Sequence, residues 1–452
     1  MGIPPSMGQC ILCGAVLTGE NTRLEHAIPK CIGGRIRSRR VTCTDCNNSS
    51  GSKLDRYLYS CYWSIINEPL REFVPANVRS GGSTWAVIRY RGTGFRTRMP
   101  LAPGRSAGRG YVATAPDGGK LIVGADNAAV TRTAEGIARA KVGDGSGRLE
   151  EAGSHFPISR EAREAHHPSS VSVRCAALKA GVLALAALDA GRHGVDFKLR
   201  TFDAVRDTIR AVNDARPGDG VQVQVPRLSR SKIGVSLGIH QERLPELLGL
   251  RRSAGNPCTD FEHFIVLSGS GVGRSLELFV VLFSAHVFAF RLTNDWSGGD
   301  IVLVAVNGVL RCSDGPFLER LADGPLDLTP KSAGVVVGSQ PMDALVHQLY
   351  ARAWAYRCRN SDGDRKEMLD QIKRCGGVGA AASEALRGLF CPDGREDDHV
   401  RRQSARVEAE AAGRGLAALP AEEQAREALS LVAQGIEVLA GRGVFPSRYR
   451  DE

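Results

Sequence analysis

No apolar run in the 452-residue sequence approaches the ~20 residues that an α-helix needs to cross a bilayer. Ala176–Leu188 comes closest, but it carries Lys179 and closes on Asp189, which fits a buried helix; Phe279–Phe290 is too short. The N-terminal MGIPPSMGQC has no basic stretch leading into an apolar one, so no secretory signal is expected, and the chain reads as soluble and cytoplasmic. Without such a signal, the twelve cysteines are a poor basis for a disulfide framework. An acidic balance is also missing. The formal charge is +10 and the pI about 9.1, which favours an anionic partner such as nucleic acid, though an acidic surface or plain solubility also fits. The glycine run Gly269–Arg274 (GSGVGR) lacks the Lys-Ser/Thr of a phosphate-cradling loop and has no βαβ context, so it reads as a hairpin turn.

The sequence is most specific between Cys10 and Asp55. Cys10-Ile-Leu-Cys13-Gly14 is a metal knuckle, two thiols brought together by a tight turn, and Cys43-Thr-Asp-Cys46 is its counterpart. Two Cys-x-x-Cys pairs at this separation predict one tetrahedral zinc site, since a redox motif needs no second pair. Four thiolates fill the coordination of zinc and leave no open position for chemistry, so this zinc is structural. The other seven cysteines past residue 50 are scattered and read as small buried residues.

Between the pairs, Thr22–Pro29 (TRLEHAIP) reads as a short extended run that Pro29 ends. In a regular strand the neighbours Glu25 and His26 point to opposite faces, so both serve one site only where the strand is distorted. The segment Lys30–Arg40 (KCIGGRIRSRR) turns at Gly33-Gly34 and carries Lys30, Arg35, Arg37, Arg39 and Arg40 with no acid among them. On a strand, Arg35, Arg37 and Arg39 share a face that reads either as a solvated edge protected by charge or as a surface gripping phosphates by paired hydrogen bonds. Thr44 or Asp45 is placed to cap a helix running through Asn47 to Leu58. On that helix Asn47, Gly51 and Asp55 share a face, and Gly51 would let the preceding hairpin come close. Asn47 and Asp55 stand ~12 Å apart along the axis, too far to bind one ion easily, which leaves Asn47 as the candidate ligand and Asp55 as possible support.

These residues together resemble the HNH (ββα-metal) endonuclease family in its zinc-bound variant. The resemblance rests on Cys10/Cys13, Glu25-His26-Ala27-Ile28-Pro29, Gly33-Gly34, and Cys43/Cys46-Asn47 with Gly51 and Asp55. It implies that His26 is the general base and that Glu25 and Asn47 hold a divalent ion, Mg²⁺ or another, at the scissile phosphate. It also implies that the four cysteines hold structural Zn²⁺ and that the reaction is hydrolysis of DNA, without excluding RNA. A place in bacterial defence or mobile-element processing follows by family analogy alone. The chemistry agrees: a neutral imidazole accepts protons near neutral pH, and carboxylate and amide oxygens are hard ligands suited to Mg²⁺. The sequence departs from the family in two places. Arg39 and Arg40 stand where relatives often have a loop-fixing asparagine, and Asn47 stands where many have histidine. The competing expectation is a non-catalytic zinc module that binds nucleic acid.

The fold expected overall is α+β, with a zinc-bound ββα-metal domain at 1–60, an α+β domain at 75–335 and a helical region at 340–452. Strands are expected around Thr84–Arg98, Lys120–Ala125, His263–Leu267, Glu277–Phe283, Ala285–Leu292 and Ile301–Val306, and helices at Thr131–Val142, Val171–Asp189 and Phe202–Val212. Five further helices are expected between Met342 and Ala440, the last opened by Pro420 with Glu422 and Glu423 at its positive end. Gly143–Pro168, a polar stretch holding His166-His167, reads as a loop, and its histidine pair has no cysteine beside it to make a metal site.

Overall fold

The structure is a computed structural model that describes residues 8–67, 69–75, 171–214, 237–239, 241–254, 260–313, 315–321, 342–391 and 397–446. The strand pairs 83–90/93–100 and 111–114/120–123 and the strand 237–239 are described as backbone. The expected helix at 131–142, the loop at 143–168 with its histidine pair and most of the turn after Asn213 lie outside these residues.

The described chain is a mixture of helix and sheet, with a cysteine cluster near its start and helices at its end. It opens with a minimal hairpin, β1 (Glu25–His26) and β2 (Arg37–Ser38), followed by α1 (Thr44–Asn67), which runs well past the expected end at Leu58. Strands β3 to β6 form two antiparallel hairpins, Ser83–Tyr90 with Thr93–Pro100 and Tyr111–Thr114 with Lys120–Val123. Helix α2 (Val171–Ala187) and α3 (Asp203–Asp214) follow, close to their expected bounds.

A six-stranded antiparallel sheet forms the middle of the molecule. After β7 (Leu237–Ile239) and the short helix α4 (Leu244–Ser253) come β8 (Glu262–Ser270), β9 (Ser275–Leu282), β10 (His286–Thr293), β11 (Ile301–Gly308) and β12 (Phe317–Arg320). Their order across the sheet is β12-β11-β8-β9-β10-β7. The glycine run is the turn between β8 and β9, closed by the Ser270–Ser275 pair, and β9 and β10 form the expected hairpin.

Strands β8 to β11 are almost continuously apolar because both faces of the sheet are covered. Ile265, Leu267, Leu278, Val280, Phe288, Phe290 and Leu303 face the large core under α1 and α2. Their neighbours Phe264, Val266, Phe279, Val281, Val302 and Val304 face a smaller core under α4, around Leu247. Alternate residues along a strand go to opposite faces, so a strand covered on both sides loses the polar half of its pattern. α2 lies low on the sheet because Gly181 has no side chain: a Cβ there would stand 2.6 Å from Val280.

The large core is continuous from the N-terminal segment into the sheet. It joins Cys10, Leu17, Ile28, Ile36, Leu54, Leu58 and Tyr62 to α2, to one sheet face and to Leu349 and Tyr350 of α5 (Met342–Asn360). The remaining helices, α6 (Asp362–Cys375), α7 (Val378–Phe390), α8 (Asp398–Gly413) and α9 (Ala421–Gly441), build a separate core with the outer face of α5. Ser361 caps α6 and Asp397 caps α8 by accepting backbone N–H bonds, and Pro420 stands at the start of α9 as expected. None of the described helices is long and apolar enough to cross a membrane.

Candidate nuclease site

The four thiols are assembled by backbone bonds that the local sequence dictates. Gly14 donates to the Cys10 carbonyl at 2.8 Å and has φ +76°, so the first knuckle closes on a residue that tolerates the left-handed region. The second knuckle leads into the first turn of α1; Ile11 N–H on the Val41 carbonyl joins it to the first knuckle, and the Thr22–Cys43 bridge joins it to the run before β1. All four sulfurs lie within 4.8 Å of one another, and Cys13 and Cys43 Sγ are 3.6 Å apart. A tetrahedral zinc with Zn–S bonds of ~2.3 Å sets sulfurs about 3.8 Å apart, so the cluster fits the ion. The Cys46 thiol, helped by backbone N–H groups of Cys43 and Cys13, draws the Cys10 thiol down to about 5 against the effect of burial.

The hairpin that carries Glu25 and His26 is only two residues long on each side, with His26 opposite Arg37 and Glu25 opposite Ser38. The expected alternation breaks down: Leu24 is exposed, whereas the neighbours Ala27 and Ile28 are both buried. Tertiary packing overrides the pattern because the chain leaves the strand at once for the turn at Lys30–Ile32. His26 is half-buried, and its imidazole makes no hydrogen bond among the described residues. Burial, with Lys30 and Arg37 nearby, lowers its pKa below the ordinary value, against a small opposing effect of Asp55. Asn47 lies one residue past Cys46 on α1, half-buried, with its side-chain amide not engaged in any hydrogen bond among the described residues.

Glu25 turns inward. Its carboxylate lies 3.0 Å from the ammonium of Lys179 on α2, and the same ammonium donates to both oxygens of Asp55 at 2.8 and 3.0 Å. Lys179 is fully buried and Glu25 nearly so. Burial works against the charge of Lys179, but Asp55 and Glu25 outweigh it and hold the ammonium above its usual pKa. Burial raises Glu25, with Lys179 opposing the rise. Asp55 therefore supports the site through Lys179. Gly51 is not a point of close approach: it is exposed, and a Cβ there would meet only Asp55, at 3.8 Å.

The loop that follows His26 is held from the sheet. His263 on β8 and Asn307 on β11 are a directly opposed, fully buried cross-strand pair. His263 Nε2 donates to the Ile32 carbonyl at 2.7 Å, and Asn307 donates to the Gly33 carbonyl at 3.0 Å. Asn307 Oδ1 accepts from the backbone N–H groups of Arg35 and Ile36 at 2.6 and 3.2 Å. Gly33 sits at φ +99° against Val309, and a Cβ on Gly34 would stand 1.9 Å from the Ile28 carbonyl oxygen, so neither glycine has room for a side chain. Asn307, far outside the motif, thus ties the backbone of residues 33–36 to the sheet.

This anchoring redistributes the basic residues. β2 covers only Arg37–Ser38, and Arg35 points inward, its guanidinium donating to the carbonyls of Ser313 and Leu310. Arg35 is occupied structurally, while Lys30, Arg37, Arg39 and Arg40 remain exposed.

Residues 10–61 match the HNH endonuclease family model. The matched HNH segment takes in both knuckles, the Glu25-His26 hairpin and most of α1, and with its thiol cluster it agrees with the zinc-bound kind. The match supports nuclease activity on nucleic acid in general terms. No curated protein and no solved structure shows significant similarity to the chain.

The sequence does not announce the roles of the residues that hold the HNH segment in place: Lys179 and Asn307 are polar residues inside apolar runs, and His263 opens one. His263 also makes stability depend on pH. Burial pushes its imidazole down to about 4 from an ordinary 6.5, against the raising effect of the bond to the Ile32 carbonyl, and Nδ1 accepts from Phe283 N–H. Between those values the unfolded chain binds a proton that the folded chain refuses, so stability is complete above about 6.5 and falls as pH drops towards 4. The loss attributable to this group at pH 5 is about 2 kcal/mol. Urea unfolding of wild type and His263→Gln at pH 7 and pH 5 measures it: the wild type should lose about 2 kcal/mol more than the variant. Equal losses would mean that His263 is not held neutral.

Proposed function

We propose that the chain is a metal-dependent HNH endonuclease that hydrolyses phosphodiester bonds of DNA. The observation that carries the reading is the arrangement within the matched segment. A half-buried imidazole that makes no hydrogen bond among the described residues adjoins a carboxylate in sequence, and an amide equally unengaged among those residues follows the zinc knuckle at the head of the adjoining helix. His26, kept neutral by burial and by Lys30 and Arg37, accepts the proton of the attacking water. Glu25 and Asn47 supply oxygen donors of the kind Mg²⁺ prefers, and Glu25 already lies against a cation, the Lys179 ammonium. When bound, such an ion stabilises charge on the scissile phosphate and the leaving oxygen. Cys10, Cys13, Cys43 and Cys46 hold the zinc that ties the head of α1 to the first knuckle. The exposed Lys30, Arg37, Arg39 and Arg40 lie on the same hairpin and contact the phosphate backbone on either side of the cut.

One observation favours the rival reading, a zinc module that binds nucleic acid without cutting it: the Glu25 carboxylate is already paired with Lys179. A titration of Mg²⁺ and Mn²⁺ against supercoiled plasmid separates the two. The enzyme should nick or linearise the plasmid in a saturable, metal-dependent way. Retention of the plasmid in gel-shift assays with no cleavage at any metal concentration would establish the rival.

A further inference from the structure

Lys179 is the sole charged residue in the stretch Cys175–Leu185, every other member of which is apolar or glycine. An isolated ammonium in such a setting is costly, and it persists only where anions compensate it. Its two anions are the carboxylate adjacent to His26 and the carboxylate two turns along α1 from Asn47. The helix that carries it lies outside the HNH segment and is fixed in height by the contact of Gly181 with Val280 and Leu278, so the ammonium cannot easily retreat.

We propose that Lys179 is a positioning residue of the nuclease site, whose ammonium shares the Glu25 carboxylate with the divalent cation and thereby sets how tightly that cation binds. The proposal rests on the reading of Glu25 as a cation ligand. Asp55 is the other half of the device. By taking two of the ammonium's hydrogen bonds it draws Lys179 away from full possession of Glu25 and leaves the latter able to turn to a second cation. A purely structural tie between α1 and α2 would need Asp55 alone; the approach to Glu25 at 3.0 Å is what links the tie to the chemistry.

The test is Mn²⁺ binding to the zinc-loaded full chain, without nucleic acid, followed by electron paramagnetic resonance. Lys179→Met should bind Mn²⁺ about tenfold more tightly, because a competing positive charge at contact distance is gone. Lys179→Arg should stay close to wild type, and adding Glu25→Gln to Lys179→Met should abolish the gain. An unchanged or weaker Mn²⁺ affinity in folded Lys179→Met overturns the proposal.

Lys179→Met leaves two carboxylates facing each other, and where it fails to fold the comparison moves to Asp55→Asn against Asp55→Asn/Lys179→Met. The double variant keeps one carboxylate, Glu25, and no ammonium, and should bind Mn²⁺ more tightly than Asp55→Asn alone. Equal affinities there overturn the proposal as well. If the wild type cleaves plasmid in a metal-dependent way but these affinities do not move, only the role of Lys179 falls. If neither wild type nor any variant binds Mn²⁺ and no plasmid is cut, the metal-dependent reading falls with it.

Discussion

Replacing His26 with alanine should lower the rate of plasmid cleavage by about 10²–10⁴-fold, the range that a positioned general base contributes. The reason for expecting so clean a loss is that His26 has little structural work to do. Its side chain makes no hydrogen bond among the described residues, and the backbone at this point is held by the pairing with Arg37 and by Ala27 N–H on the Ile36 carbonyl. The ring is half-buried, so truncation leaves no sealed cavity, and the cost in stability should be about 1 kcal/mol or less. Zinc content, melting temperature and DNA retention in gel shifts should therefore match the wild type. Cleavage that persists in a zinc-loaded, well-folded His26→Ala preparation would remove His26 from the mechanism. His26→Gln should be equally inactive, since an amide has the size of the ring but cannot take up the proton.

The parts of the site that sequence makes legible are those whose chemistry is local. Cys10, Cys13, Cys43 and Cys46 announce themselves because a thiolate cluster needs tight turns at fixed spacing, and those turns are written in a few adjacent residues. The helices from Met342 onward were equally plain, because the apolar positions of α9 recur at helical spacing from Ala425 through Leu429, Val432 and Ile436 to Leu439. What stayed hidden depends on contacts far along the chain. Arg35 looks like a phosphate contact in a run of arginines, yet the carbonyls that claim it belong to residues 310 and 313. The asparagine that ties down the loop, Asn307, sits in a strand some 270 residues away, beyond the reach of any local motif. Lys179 was visible only as an interruption in an apolar helix. Nothing in the sequence says which carboxylates satisfy a buried ammonium. The same distance explains why the HNH segment reads as a self-contained unit while its core runs without a break into the sheet.

That shared core shapes the outcome expected for Cys43→Ser. A serine hydroxyl is a far weaker zinc ligand than a thiolate, and structural zinc contributes on the order of 10–16 kcal/mol in small zinc-dependent units. The variant should lose nearly all of its zinc to a competing chelator under conditions where the wild type keeps about one ion per chain. In a free-standing zinc unit that loss would unfold everything attached to it. Here it should be graded. The first knuckle depends on the metal and on the bond from Ile11 N–H to the Val41 carbonyl, so hydrogen-exchange protection should collapse at residues 10–17 and at the start of α1. Residues 32–36 should keep much of theirs, because His263 and Asn307 hold them from the sheet. The C-terminal helices, with their separate core, should exchange as in the wild type. Cleavage should nevertheless be lost completely, since Asn47 lies in the turn of α1 that the zinc organises. Uniform loss of protection across residues 8–67 would show that the metal, rather than the sheet, holds the His26 loop in place. Retention of a full zinc ion in Cys43→Ser would take Cys43 out of the ligand set altogether.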